Sequence, residues 1–268
     1  MADESRSADA LTDSALWDGV WSKTVLPAEM KRARTSVMLN AMLDVFDRFL
    51  PADRPQRVLE VGGAPGQYLV YQYRRGGHEI HCMDYAEVGC AKARENFALL
   101  GIPGQVHLQD LFADGPALPA FDFVYSLGLI EHFEDLCGVV ERHVRLVRPG
   151  GTLLLGCPNY RGINRWILSR LAPKLLAVHN LDTMDLQRWD EFERRLGLRR
   201  LYRGYIGGFD PMPLLRLENP TAGNRLLRQA VRATVLLRRW QARLRIPRLL
   251  NGMAISAYCM GVYQTPEA

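Results

Sequence analysis

The chain has 268 residues, of which 48% are hydrophobic and 24% charged, and a net charge of +5. That length and apolar share suit one domain of about 200 to 250 residues with an extension, and do not suit a disordered chain. No run of 18 uncharged apolar residues exists, so no transmembrane helix is expected. The five cysteines are widely spaced and lack a C-x-x-C pair, which argues against a disulfide framework or a zinc ribbon.

Residues 1–13 are polar and acidic, unlike a secretory leader, and hold little to bury. They are expected to be disordered, in a cytoplasmic protein with reduced cysteines. Trp17 and Trp21 stand one helical turn apart and share a face. They could pin an N-terminal arm or cover a ligand. Pro27 opens a predicted helix that runs to Pro51, with Met30, Val37, Met38, Ala41, Met42, Val45, Phe46 and Phe49 at helical spacing. Residues 1–50 therefore read as an arm and helix covering a pocket of the main domain, 51–268.

Val58 to Val61 reads as a short buried strand, Gly62-Gly63-Ala64-Pro65-Gly66 as a tight turn, and Gln67 onward as a helix. A strand, a glycine turn and a helix N-terminus make a seat for a nucleotide-like ligand. The dinucleotide pattern G-x-G-x-x-G fails here, because its positions hold Gly62, Ala64 and Gln67. The pattern E-x-G-x-(G/A)-x-G fits, through Glu60, Gly62, Ala64 and Gly66. Glu79 to Met83 is the next strand, closed by Asp84. Such folds place a ribose-binding carboxylate at about this distance, roughly 20 residues on. A helix over 86–100, stopped by Gly101, leads to a strand over 105–109 and then to Asp110, Leu111 and Phe112.

Phe121 to Ser126 is the fourth strand, opening into Leu127-Gly128-Leu129-Ile130-Glu131-His132-Phe133. Ligands sit at the carboxyl ends of strands in open α/β sheets, so Glu131 and His132 lie near an expected reaction centre. Histidine accepts a proton readily near neutral pH, yet a histidine here can equally serve packing. A helix over 136–147, the turn Arg148-Pro149-Gly150-Gly151 and a strand over 152–157 complete a parallel sheet with helices on both faces.

Residues 158–197 carry apolar positions near helical spacing, interrupted by Pro173, and a predicted helix from Met184 to Leu196. His179 in this insertion is a second candidate base, or a loop histidine satisfying backbone groups. Strands are predicted over 198–206 and 253–263. Between them, residues 224–245 read as an amphipathic helix, and 225–248 hold eight arginines and no acid. Residues 1–160 carry 15 Lys/Arg against 21 Asp/Glu, and 161–268 carry 19 against 8. The basic face could be solvated surface, or a contact with an anionic membrane or a phosphate-bearing substrate.

The run Glu60–Gly66, the stretch Ile130-Glu131-His132-Phe133 and the Arg148–Gly151 turn resemble the class I S-adenosylmethionine-dependent methyltransferases over roughly residues 55–160, most closely small-molecule O-methyltransferases of ubiquinone-type pathways. The resemblance implies a Rossmann-like, doubly wound, mostly parallel seven-stranded sheet with N-terminal helices. It also implies a helical lid after strand five. S-adenosylmethionine would meet Glu60, Gly62, Gly63, Ala64, Gly66, Asp84, Tyr85, Asp110, Leu111 and Ser126. Asp110 matches the acidic position that often faces the adenine amino group, though a turn or helix-cap aspartate fits as well. Glu131, His132 and His179 are the catalytic candidates, with His132 ahead of His179. The expected acceptor is a small or lipid-like molecule methylated at oxygen. The Ser126-Leu127-Gly128-Leu129 stretch argues against a nucleic-acid base. No clustered His/Asp set is visible, so no metal is expected. A non-catalytic partner- or nucleic-acid-binding subunit and a nicotinamide-dependent oxidoreductase are the alternatives. The oligomeric state stays open.

Overall fold

The structure, a computed structural model, describes residues 10–33, 36–113, 118–210, 229, 233 and 251–267. The basic stretch over 224–245 lies outside the described residues except for Gln229 and Ala233.

Seven strands form one sheet: β1 (Arg57–Val61), β2 (Glu79–Asp84), β3 (Gln105–Leu108), β4 (Phe121–Leu127), β5 (Val147–Pro158), β6 (Arg199–Ile206) and β7 (Tyr258–Gln264). Their order is β3-β2-β1-β4-β5-β7-β6. β1 to β5 run parallel, and β7 is antiparallel to both β5 and β6. The predicted mixed sheet is thus the observed one.

Side chains alternate across the sheet, so each central strand feeds two cores. Val58, Phe123, Tyr125 and Leu154 pack with Met42 and Phe46 of α2 (Val37–Phe49), Leu69 and Val70 of α3 (Gln67–Gly76), and Phe97 of α4 (Glu87–Leu100). Leu59, Val124, Leu153 and Leu155 pack on the other face with Val139 and Val140 of α5 (Leu136–Val144) and with Trp189 and Phe192 of α8 (Trp189–Arg195). Between β5 and α8 lie α6 (Gly162–Leu171) and α7 (Pro173–Ala177). The remaining helix, α1 (Ser14–Trp21), precedes α2.

Four local expectations are corrected. The helix predicted from Pro27 begins only at Val37, capped by Ser36, whose Oγ accepts from Leu39 N–H. Ahead of it the chain is tied down by side-chain amides. Asn96 bonds both Ala28 N–H and Ala28 C=O, and Asn40 does the same for Ala33. These bonds replace the helical ones. The helix predicted from Met184 is two 3-10 turns, Leu181–Met184 and Leu186–Arg188, before α8, because Asp185 turns its carboxylate onto Gln187 N–H. The last strand begins at Tyr258, after a turn at 252–255. Residues 10–13 are ordered. Ala10 bridges Phe133, Leu11 N–H donates to His132 O at 2.8 Å, and Asp13 caps α1.

Candidate active site

β1 continues to β2 and β3 on one side while β4 lies on the other, so the strand order reverses between β1 and β4. A crevice opens at the carboxyl ends of strands at such a point. Gly62 and Gly66 have φ of +67° and +80°, a region that side chains with a Cβ rarely adopt. A Cβ on Gly66 would also stand 2.6 Å from the Phe97 ring. The turn therefore lies flat against α4, and Gly62 N–H donates to Met83 O at 2.8 Å to hold it against β2.

Asp84 ends β2. Its Oδ1 accepts from Ala86 N–H at 2.9 Å and its Oδ2 from Ala64 N–H at 3.3 Å. One carboxylate thus joins the start of α4 to the glycine turn. Burial pushes it up to about 6, so it is charged at neutral pH and gains from further donors. The cleft above it spans about 550 Å³ including its mouth. Of the expected cofactor residues, Gly62, Asp84, Tyr85, Asp110 and Leu111 line it, and His132 joins them.

Glu60, Gly63, Ala64, Gly66 and Ser126 do not line it. Glu60 lies beneath the turn, buried, and accepts from Tyr125 Oη at 3.0 Å. A Cβ on Gly63 would stand 2.5 Å from Glu60 Cγ, so the turn closes over this side chain. Ser126 is fully buried within β4. Glu60 thus supports the turn from below and does not face the cleft.

Burial pushes Glu60 from 4.5 up to about 8. The fold keeps a proton that the unfolded chain releases, so this stabilisation is complete below about pH 4.5 and is lost as pH rises towards about 8. His143, buried and pushed down to about 4, acts in the opposite sense, but only below its ordinary value of 6.5. Stability should therefore fall between pH 6.5 and 8, by at most about 1.4 kcal/mol per pH unit from Glu60. Urea midpoints across that range should show Glu60→Gln reducing the slope, with a remainder from Glu131, which burial likewise pushes up to about 8. An unchanged slope would mean that Glu60 is ionised in the fold.

A second cleft, about 950 Å³ with its mouth, opens beyond the ends of β4 and β5. Met38 and Met42 of α2, Tyr68 of α3, Tyr160, Tyr258 and Asn164 of α6 line it, together with Glu131, His132 and His179. Trp17 and His132 line both clefts. Trp17 meets the His132 ring edge-on at 5.2 Å and stacks on Trp21 at 5.8 Å. A Cβ on Gly89 of α4 would stand 2.6 Å from the Trp21 ring. The tryptophan pair thus takes both expected parts: Trp21 anchors α1 on α4, and Trp17 walls the clefts.

The three catalytic candidates converge. The 3-10 turn Ile130–His132 follows β4, and Asn180 N–H donates to Glu131 O at 2.7 Å, which draws the segment after α7 against it. The His132 and His179 rings lie 4.5 Å apart. His132 Nδ1 is 2.9 Å from Val178 O, and His179 Nδ1 is 2.6 Å from Leu175 O. Burial pushes His132 down to about 4 and lowers His179, so both rings are neutral at pH 7. Burial pushes the Glu131 carboxyl up to about 8. One ligand atom from each of the three lies within 4.8 Å of the others. The expectation of no clustered ligand set is corrected here: His179 reaches the pair from beyond α6 and α7, where sequence spacing hides it.

Reasoning from sequence also missed Ala10, Thr12, Phe112, Leu129 and Phe133 in the first cleft. Asp13, a helix N-cap just ahead of Trp17, was the signal that the N-terminus is ordered from that point.

A family model described as a methyltransferase domain matches residues 32–204. An O-methyltransferase of Pyrenophora dematioidea is 25% identical over 174 residues, covering 61% of this chain and 63% of that protein. A ubiquinone biosynthesis O-methyltransferase of Sodalis glossinidius is 29% identical over 115 residues, covering 42% of this chain and 45% of that protein. The chain thus spans under two thirds of the length of these relatives. Among solved structures, the cyclase SpnF superposes with a TM-score of 0.60 at 15% identity, over 95% of this chain and 93% of that one. Phosphoethanolamine N-methyltransferase 2 of Haemonchus contortus, in complex with S-adenosylmethionine, superposes at 0.54 and 18% identity, over 84% and 52%. At such identities the likeness shows the fold alone.

Proposed function

Because the chain belongs to the methyltransferase-domain family, we propose that it transfers a methyl group from S-adenosylmethionine to an oxygen atom of a small-molecule or lipid-like acceptor. The observation that carries this reading is the pair of clefts meeting at Trp17 and His132. One cleft suits the cofactor and the other the acceptor.

The cofactor supplies a methyl group on a positively charged sulfur. Asp84 would accept hydrogen bonds from the ribose hydroxyls, and Asp110 would face the adenine amino group. The turn at Gly62 leaves room for the methionine portion. Trp17 and Phe133 exclude water from the junction. The neutral rings of His132 and His179 lie on the acceptor side, where a hydroxyl must lose its proton. O-methyltransferase relatives support oxygen as the nucleophile. A lipid-like acceptor is favoured by the exposed Ile163 and Trp166 of α6, which flank Asn164 of the acceptor cleft. Arg165, Arg170 and Lys174 lie on the same two helices, which would carry a cover over that cleft. Among the described residues no helix is long and apolar enough to cross a membrane.

Mass spectrometry of the purified protein should detect S-adenosylmethionine or its demethylated product. Methyl-labelled cofactor should pass its label to hydroxylated aromatic or lipid acceptors. Copurified nicotinamide cofactor would reject the reading in favour of an oxidoreductase. Absence of any cofactor binding by calorimetry would favour a non-catalytic subunit.

A further inference from the structure

We propose that Glu131, His132 and His179 bind a divalent transition-metal ion of the zinc type where the two clefts meet. The chemistry assigned to the ion rests on the methyltransferase reading, but its binding does not.

Three independent features of the side chains point to an ion. Among the described residues, Glu131 Oε2 is buried and accepts no hydrogen bond. A buried carboxyl oxygen with no hydrogen-bond partner is costly, and a cation taking the place of the carboxyl proton removes that cost. A carbonyl oxygen only accepts, so Val178 O places the proton of the neutral His132 ring on Nδ1 and leaves the Nε2 lone pair free. Leu175 O does the same for His179. Two separate backbone carbonyls therefore hold both imidazoles in the tautomer that ligates through Nε2, as outer partners of metal-binding histidines do.

Geometry agrees. One ligand atom from each of the three residues lies within 4.8 Å of the others. A tetrahedral ion with bonds of about 2.1 Å needs such atoms about 3.4 Å apart, so the three side chains would close on the ion as it binds. Asn180 fixes the two backbone segments, donating from N–H to Glu131 O and from Nδ2 to Phe133 O at 3.0 Å. All three side chains line the acceptor cleft, so a fourth position would open towards the acceptor. Three protein ligands with one open position is the arrangement of catalytic zinc. Two imidazoles favour zinc or cobalt over magnesium, which prefers oxygen.

An ion there would take the acceptor's hydroxyl oxygen as its fourth ligand and ease loss of its proton. The O–CH3 bond then forms as the S–CH3 bond breaks. The S–C electron pair stays on sulfur, and the hydroxyl proton leaves to water. A hydroxyl acceptor is thereby preferred over an ammonium.

The test uses the full chain, stripped with chelator and titrated with Co2+. One equivalent should bind, with the visible ligand-field absorption of imidazole-bound cobalt. Zn2+ should displace it and Mg2+ should not. His179→Ala and Glu131→Gln should each weaken binding by more than about tenfold. His107→Ala, remote from the site, should leave it unchanged. Thermal unfolding checks that each variant is folded, and His179→Gln replaces an alanine variant that is not. No ligand-field absorption, or unchanged affinity in either ligand variant, overturns the site. Calorimetry with S-adenosylmethionine on the same samples judges the methyltransferase reading separately. Failure there with cobalt still bound would reject that reading and leave the ion site standing.

Discussion

Asp84→Ala should weaken S-adenosylmethionine binding by roughly 30- to 1000-fold, or about 2–4 kcal/mol. Two charge-assisted hydrogen bonds to the ribose would be lost together. A second loss adds to the first. The carboxylate accepts from Ala64 N–H and Ala86 N–H, so its removal also unties the glycine turn from the start of α4. Asp84→Asn separates the contributions, because the amide keeps one acceptor and loses the charge. It should fall between wild type and Asp84→Ala. Titration calorimetry measures both variants, and unchanged affinity in Asp84→Ala would remove the cofactor from this cleft. The variant should stay folded, because the sheet core does not depend on this side chain.

His132→Ala should lower kcat by about 100- to 10,000-fold and leave cofactor affinity within about twofold. The ring lies between the two clefts and is held by Val178 O on one side and the Trp17 edge on the other. In the proposed reaction its loss removes a group that would face the acceptor, whether Nε2 accepts the proton itself or ligates an ion that eases its release. A packing role would instead show as a lowered unfolding midpoint with little change in kcat. Steady-state kinetics with labelled cofactor, read beside the melting curve, tells these apart. A drop in kcat of less than about threefold would place the chemistry elsewhere in the acceptor cleft. His179→Ala should have the smaller effect, since His179, unlike His132, does not line the first cleft.

The alternation of strands and helices was legible from sequence because its signals are local. Val58 to Val61, Phe121 to Ser126 and Thr152 to Cys157 are apolar runs bounded by glycine or polar turns, and each became a strand. The glycine turn was legible for the same reason, since backbone sterics alone restrict which residues pass through it. Asp84 followed from its place at a strand end. Local signals failed where distant side chains satisfy the backbone. Residues 28–33 were expected to start a helix at Pro27, but Asn96, far along the chain, bonds the backbone of Ala28 and draws it onto α4. Residues 10–13 looked too polar to order, yet Ala10 and Leu11 pair with Phe133 and His132, at the 3-10 turn that follows β4.

From sequence alone came the fold class, the glycine turn, Asp84 and the candidacy of Glu131, His132 and His179, because strand periodicity, turn sterics and strand ends are written in neighbouring residues. Only the tertiary structure decided that Glu60 lies under the turn and not in the cleft, that Trp17 walls both clefts, and that His179 joins Glu131 and His132. Each of those depends on packing between segments far apart in the chain, where burial and backbone partners, not spacing, fix which side chains meet.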